Sequence, residues 1–223
     1  MVLCRFMVCG APWIKCDITR HHMAQLNPAV DEITVKAAIV GQPLSGKKNI
    51  IEQVAARYEQ SAMKSQLVSE AEIIRTEFIW PEPLPNGPFI RVKLLALSGK
   101  PVHRAAEQLL LSDCDALVFV VNCNPTLISE SQASLASLMA NARFTGLNWG
   151  DIKLVLQYNN AESYPHVKPG DLDAWLGVNT EQVERYHTQS DLIEHHGLAV
   201  DAAIRGAIAQ MTPREHIEPG LPA

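Results

Sequence analysis

From about residue 33 the chain alternates between short apolar, β-branched runs and stretches whose apolar residues recur at helical spacing. Thr34–Val40 (TVKAAIV) reads as a buried strand that Gly41 ends. Ile50, Ile51, Val54, Ala55 and Tyr58 then share one helical face. Glu77–Trp80 and Phe89–Leu97 (FIRVKLLAL) read as two strands. Between them, the proline-rich interval Pro81–Pro88 with the turn pair Asn86–Gly87 reads as a hairpin loop. Val102–Leu111 is a short helical stretch, and Asp115–Asn122 (DALVFVVN) is the most apolar strand. Ser129–Ala142 follows as a helix with Leu135, Leu138, Met139 and Ala142 on one stripe, and then Lys153–Tyr158 as a strand. Leu172–Leu176 and Thr180–Val183 are weak helical pieces, with a short strand near Arg185–His187. Val200, Ile204, Ile208 and Met211 form the face of a last helix, stopped by Pro213.

Strands separated by helices imply right-handed crossovers, so the expected fold class is α/β, a mainly parallel central sheet with helices on both faces. Ligands in such folds sit at the carboxyl ends of the strands. The loops after Val40, Leu97, Val121 and Tyr158 are therefore where chemistry is sought. The domain is expected over residues 32–212, with 213–223 as a tail and 1–31 as a poorly ordered N-terminal extension.

Composition narrows the field. With 47% hydrophobic and 19% charged residues, a sizeable core is within reach and global disorder is excluded. A formal net charge of −5 argues against nucleic acid as a partner. No apolar run approaches the ~18–20 residues of a membrane span. The five cysteines are too few and too uneven for a secreted disulfide scaffold, so a reducing cytoplasm is expected. In the extension, Cys4 and Cys9 meet the spacing of a zinc pair, but Cys16 lies too far on and His21 and His22 are adjacent. His195 and His196 are likewise adjacent and read as a loop pair, and Ser98-Gly99 lacks the surroundings of a hydrolase nucleophile. Cys114 and Cys123 read as small buried hydrophobes, and Trp80, Trp149 and Trp175 as packing residues.

One loop carries specific chemistry. Gly41-Gln42-Pro43-Leu44-Ser45-Gly46-Lys47-Lys48 fits the phosphate-loop pattern G-x4-G-K-[S/T] between a strand and a helix, except at its last position. The glycines let the backbone curl so that successive N–H groups face an anion, and the helix start adds its positive end. Lys47 neutralises the outer phosphates. The Mg²⁺-ligating hydroxyl is missing, because Lys48 stands in its place. At ~4 Å and an effective dielectric of ~20, a unit charge pair is worth about 4 kcal/mol. An inward-pointing Lys48 would therefore oppose Mg²⁺ or take over its neutralising role.

On these residues the chain resembles the Ras-like small GTPases, and within them the bacterial gliding-motility (MglA-type) branch, from roughly Val35 to Met211. That branch carries a loop like GPGLSGKT, which GQPLSGKK follows closely. Ile74-Arg75-Thr76-Glu77-Phe78 falls where the branch has its first-switch D-R-T-L-F. The resemblance implies that Thr76 senses the γ-phosphate and the metal, and that Arg75 is an internal arginine finger. Ala96-Leu97-Ser98-Gly99-Lys100, followed by Gln108-Leu109-Leu110-Leu111 and Asp115–Val120, keeps the register of the second switch. There Gly99 matches a γ-phosphate contact, while Lys100 replaces the water-orienting glutamine and cannot accept a hydrogen bond from that water. The base-reading N-K-x-D falls at Asn159-Asn160-Ala161-Glu162, with Asn160 for the lysine and Glu162 for the aspartate. The last motif would fall near Thr188-Gln189-Ser190.

The resemblance implies a Ras-like P-loop fold that takes GTP or GDP through Gly41, Leu44, Ser45, Gly46, Lys47, Lys48, Thr76, Gly99, Asn159, Asn160 and Glu162. The alterations at Lys48, Lys100, Asn160 and Glu162 point to a regulatory or scaffold module whose hydrolysis is lost or very slow. The alternatives are a working GTPase with Arg75 as its finger, and an interaction module with an empty site. Phe89–Leu97 is expected at the sheet edge beside the first switch. By the resemblance, a protein regulator or effector would dock on that edge and switch surface, a roadblock-type protein among the candidates.

Overall fold

The computed structural model describes residues 25–27, 31–59, 63–68, 71–82, 88–98, 104–177, 183–188, 195 and 197–211. Eight strands form one sheet: β1 Gln25–Asn27, β2 Glu32–Gly41, β3 Lys64–Val68, β4 Ala71–Ile79, β5 Phe89–Ser98, β6 Ala116–Asn122, β7 Lys153–Asn159 and β8 Glu184–His187. The helices are α1 Lys47–Arg57, α2 Arg104–Leu111, α3 Ile128–Phe144, α4 Pro169–Leu176 and α5 Leu198–Met211. The strand order is β3-β4-β5-β2-β6-β7-β8. β5, β2, β6, β7 and β8 run parallel, while β4 and β3 add antiparallel at one edge and β1 pairs antiparallel with the start of β2.

The central strands are apolar on both sides because both sides are covered. Along β6 every residue is buried. Ala116, Val118 and Val120 face the cluster under α1 and α5, while Leu117, Phe119 and Val121 face the cluster under α2, α3 and α4. Burying each large apolar side chain stabilises the fold by about 1.5–3 kcal/mol. Where the first cluster reaches the end of α1, Tyr58 stacks on Phe78 at 4.1 Å, nearly parallel, beside buried Trp80. Trp149 packs against the second cluster, and Trp175 is 40% exposed. Cys114 and Cys123 are buried and free, and burial pushes both thiols up to about 12.

Among the described residues the strand and helix order follows the sequence reading apart from the differences below; the expected helical piece Thr180–Val183, save Val183, and residues 83–87 of the expected hairpin loop lie outside them. β3 and the first half of β4 lie ahead of the predicted Glu77–Trp80 strand. Phe89–Leu97 is consequently not at the edge, because β5 sits between β4 and β2 and the edge position belongs to β3. Four of the five residues of β3 are exposed, so it shows none of the apolar run that marks a central strand. β1 lies within the span 1–31 expected as an extension; the rest of that span up to residue 24, and residues 212–223, fall outside the described residues.

Candidate phosphate-binding site

β2 ends between β5 and β6, so the loop that follows opens at the carboxyl end of the sheet's centre. Gly41 has φ of 141°, and a Cβ there would lie 2.2 Å from the Val120 carbonyl oxygen. The strand therefore passes β6 only as glycine. Leu44 follows with φ of 60°, in the left-handed region that a leucine adopts only when its surroundings hold it there. Its side chain is 89% exposed. Asn122 at the end of β6 holds the turn, its Nδ2 donating to the Leu44 carbonyl at 3.4 Å. Gly46, with φ of 95°, is the cap of α1, and Ile50 N–H closes the first helical turn onto its carbonyl.

Lys47 folds back into this turn. Its buried Nζ donates to the Gly41 carbonyl at 3.0 Å, the Gln42 carbonyl at 2.5 Å and Ser45 Oγ at 3.4 Å. Every acceptor is neutral, and burial lowers its pKa from 10.5 to about 8. A desolvated cation answered only by neutral groups is electrostatically unfinished, and an anion would complete it. Gln42 is also fully buried, and neither end of its side-chain amide has a partner. Each such orphaned polar group costs about 1–3 kcal/mol.

The loop after β7 braces the turn. Asn159 is buried and its Nδ2 donates to the Ser45 carbonyl at 2.7 Å. Its Oδ1 accepts from Gln157 Nε2 at 3.1 Å and from the Thr188 hydroxyl. Thr188, just past β8, thus ties that strand into the same site. Asn160 follows in the left-handed conformation with φ of 61°, and Glu162 lies exposed on a single 3-10 turn. Gly46 must be glycine here too, since its Cβ would lie 2.6 Å from Asn159 Nδ2.

Two similarities accord with this curled, glycine-dependent turn and this strand order. The chain is 28% identical over 147 residues to the mutual gliding-motility protein MglA of Myxococcus xanthus, covering 63% of this chain and 74% of that one. Its fold superposes on the Arl6 BBS3 small GTPase of Trypanosoma brucei, solved with the nucleotide analogue GppNp, with a TM-score of 0.56. That match covers 79% of this chain and 99% of the other at 13% identity. The chain is similar to the small GTPases of the MglA type, and its fold is the Ras-like α/β fold. No protein-family model matches it.

The structure brings Gly41, Leu44, Ser45, Gly46, Lys47 and Asn159 together at one loop. Lys48 turns outward instead of into the turn, to an ion pair with Glu52 at 3.9 Å one helical turn on. Arg75 and Thr76 are not brought to the loop. Thr76 pairs with Leu94, which pairs with Ala37, four residues before Gly41. At ~3.3 Å per residue this is about 13 Å short of the turn. Its hydroxyl is buried without a partner between Ile74 and Phe78 on the α1 side. Arg75 faces the opposite side, beside Glu77 at 3.8 Å, in a cleft of about 490 Å³ shared with Lys36, Lys64, Lys93, Asp113 and Asp115. Gly99 and Lys100 lie outside the described residues, as do Gln189 and Ser190.

Gln42, Asn122 and Thr188 join the site without having been singled out as site residues. Asn122 and Thr188 had one signal: each is a polar residue at the carboxyl end of a strand that runs into the site. Among the described residues no group of three or more His, Cys, Asp or Glu is placed to hold a metal ion, and no helix is long and apolar enough to cross a membrane.

Proposed function

We propose that this protein is a nucleotide-binding regulatory or scaffold module, taking GTP or GDP by its phosphates and hydrolysing it very slowly if at all. The observation that carries the reading is buried Lys47, held in a glycine-dependent turn with no carboxylate partner among the described residues. The residues suit the phosphates of a nucleotide: a lysine folds into a tight, glycine-dependent turn that opens an 11-residue helix. When bound, the nucleotide supplies the anion that completes Lys47. Asn159 fixes the turn through Ser45, and by the resemblance Asn160 and Glu162, which follow it, would face the base.

The fit to Mg²⁺ is poor. Lys48 supplies no oxygen and points away, and Thr76 lies several residues down its strand. No step is therefore routed through the metal. The distance of Arg75 from the turn disfavours its use as a finger, which supports the slow-hydrolysis reading over the active switch. A protein regulator or effector, roadblock-type by the family resemblance, would dock at the exposed β3 edge, where Leu67 is 75% exposed. The expected setting is the cytoplasm.

The test is titration with a fluorescent GTP analogue, with and without Mg²⁺, followed by a phosphate-release assay. Binding that does not need Mg²⁺, with negligible release, is the expected result. Turnover dependent on Mg²⁺ would restore the active-switch reading. No binding at millimolar nucleotide would leave an interaction module with an empty site.

A further inference from the structure

The phosphate loop carries one side chain that the hydrogen bonds around it do not employ. Gln42 is fully buried, and neither its amide nitrogen nor its amide oxygen is paired. The neighbouring amides differ: Asn159 and Asn122 use both ends of theirs. Interiors leave few polar groups unpaired, and one that persists in a site calls for a reason.

The reason lies in the main chain of the same residue. The carbonyls of Gly41 and Gln42 are satisfied by Lys47 Nζ, which also reaches Ser45 Oγ. An ammonium has three donors, and all three are committed here. An anion entering the turn competes for that ammonium. As Lys47 turns to the anion, the carbonyls it leaves lose their donor, and the turn must pair again. The Gln42 amide has a free donor and a free acceptor in that same turn.

We propose that Gln42 is a positioning residue of the phosphate loop, whose side-chain amide is paired only when an anion fills the turn. It does not touch the anion; it takes over pairing that Lys47 gives up, and so couples occupancy to loop conformation. This rests on the nucleotide-binding reading above and adds to it a residue whose side-chain amide the loop's own hydrogen bonds leave unpaired.

The test uses Gln42→Met, close in length but without the amide, with Gln53→Met as control. Gln53 on α1 also carries an unpaired amide oxygen but lies beyond the loop. Melting temperature is measured without ligand, and Kd is measured for GDP and for inorganic pyrophosphate. Gln42→Met is expected to melt about 2–4 °C higher than wild type when empty and to bind both probes about tenfold more weakly. Gln53→Met is expected to bind like wild type. Should Gln42→Met not fold, wild-type protein with ¹⁵N-labelled glutamine answers the question. On adding pyrophosphate, the Gln42 side-chain amide is expected to shift and gain exchange protection, while that of Gln53 stays put. Unchanged affinity in Gln42→Met, a lower melting temperature for the empty variant, or an unmoved Gln42 amide signal would overturn the role of Gln42 alone. Failure of wild type to bind either probe would overturn the nucleotide reading and this role with it.

Discussion

The turn from Gly41 to Lys47 and the strand segment carrying Arg75 and Thr76 both resemble small-GTPase motifs, yet the fold treats them differently. The turn is fixed by groups within a few residues of one another and by two adjacent strand ends: Val120 crowds Gly41, Asn122 holds Leu44, Asn159 holds Ser45. Arg75-Thr76 is placed by register alone. Thr76 lies opposite Leu94 in the middle of β4, with Arg75 and Thr76 on opposite faces of the sheet. A contiguous motif whose function is its own backbone curl keeps its meaning in a new chain. A motif whose function depends on where a long strand begins keeps it only if the pairing puts it there.

The largest test of this contrast is Gly41→Ala. The added Cβ would press on the Val120 carbonyl oxygen, a backbone atom in a core strand that cannot yield as a side chain would. A loss of about 3–5 kcal/mol is expected, a large share of a domain's stability. Urea denaturation measures it, and a variant as stable as wild type would mean that β2 and β6 do not pass so closely.

Lys47 gives the next test, through pH. Its folded pKa of about 8 lies below the unfolded value of 10.5. Below pH 8 the residue is charged in both states, and the folded state bears the full penalty of burying it. Between pH 8 and 10.5 the folded chain releases the proton first, so the unfolded state binds more protons and stability rises with pH. Relative to Lys47→Met, wild type is expected to gain on the order of 3 kcal/mol across that window. Anion affinity moves the other way, falling with pH as the ammonium is lost. Titration of pyrophosphate affinity between pH 7 and 10 checks the second trend, and a flat profile would mean that Lys47 is not the anion's counter-charge.

How far the sequence foretold this follows from the same contrast. β2, β6 and β7 were legible as apolar runs and β5 by its alternation, with Ile90, Val92 and Leu94 buried between Arg91 and Lys93; the loop after β2 was legible because its residues are consecutive. β3 was not, because a solvent-facing edge such as Lys-Ser-Gln-Leu-Val carries no burial pattern. The first half of β4 was hidden too. Ile73 and Ile74 are both buried on opposite faces, and the charges of Glu72 and Arg75 interrupt the run. Missing those two stretches moved β5 to the edge. Thr188 was legible only as a polar residue at a strand end near the expected last motif, because its role comes from standing beside Asn159 across a strand boundary.

The smallest and most discriminating change is Thr76→Val. In its present place the hydroxyl is a buried group without a hydrogen bond, set among aliphatic and aromatic neighbours in a strand that favours β-branched residues. Exchanging Thr for Val normally discards a satisfied hydroxyl; here it discards an unsatisfied one, so the sign reverses. A gain of about 1 kcal/mol is expected, a rise in melting temperature of about 2–4 °C, with nucleotide affinity unchanged. Arg75→Ala, exposed and held by one loose ion pair, is expected to shift stability by no more than about 0.5 kcal/mol and to leave binding alone. A threonine that reached the phosphate would behave in the opposite way, losing affinity on conversion to valine while stability of the empty protein hardly moved. Loss of binding in Thr76→Val would therefore mean that β4 pairs with β5 in another register when nucleotide is present, and that the two motifs are closer kin than this arrangement makes them.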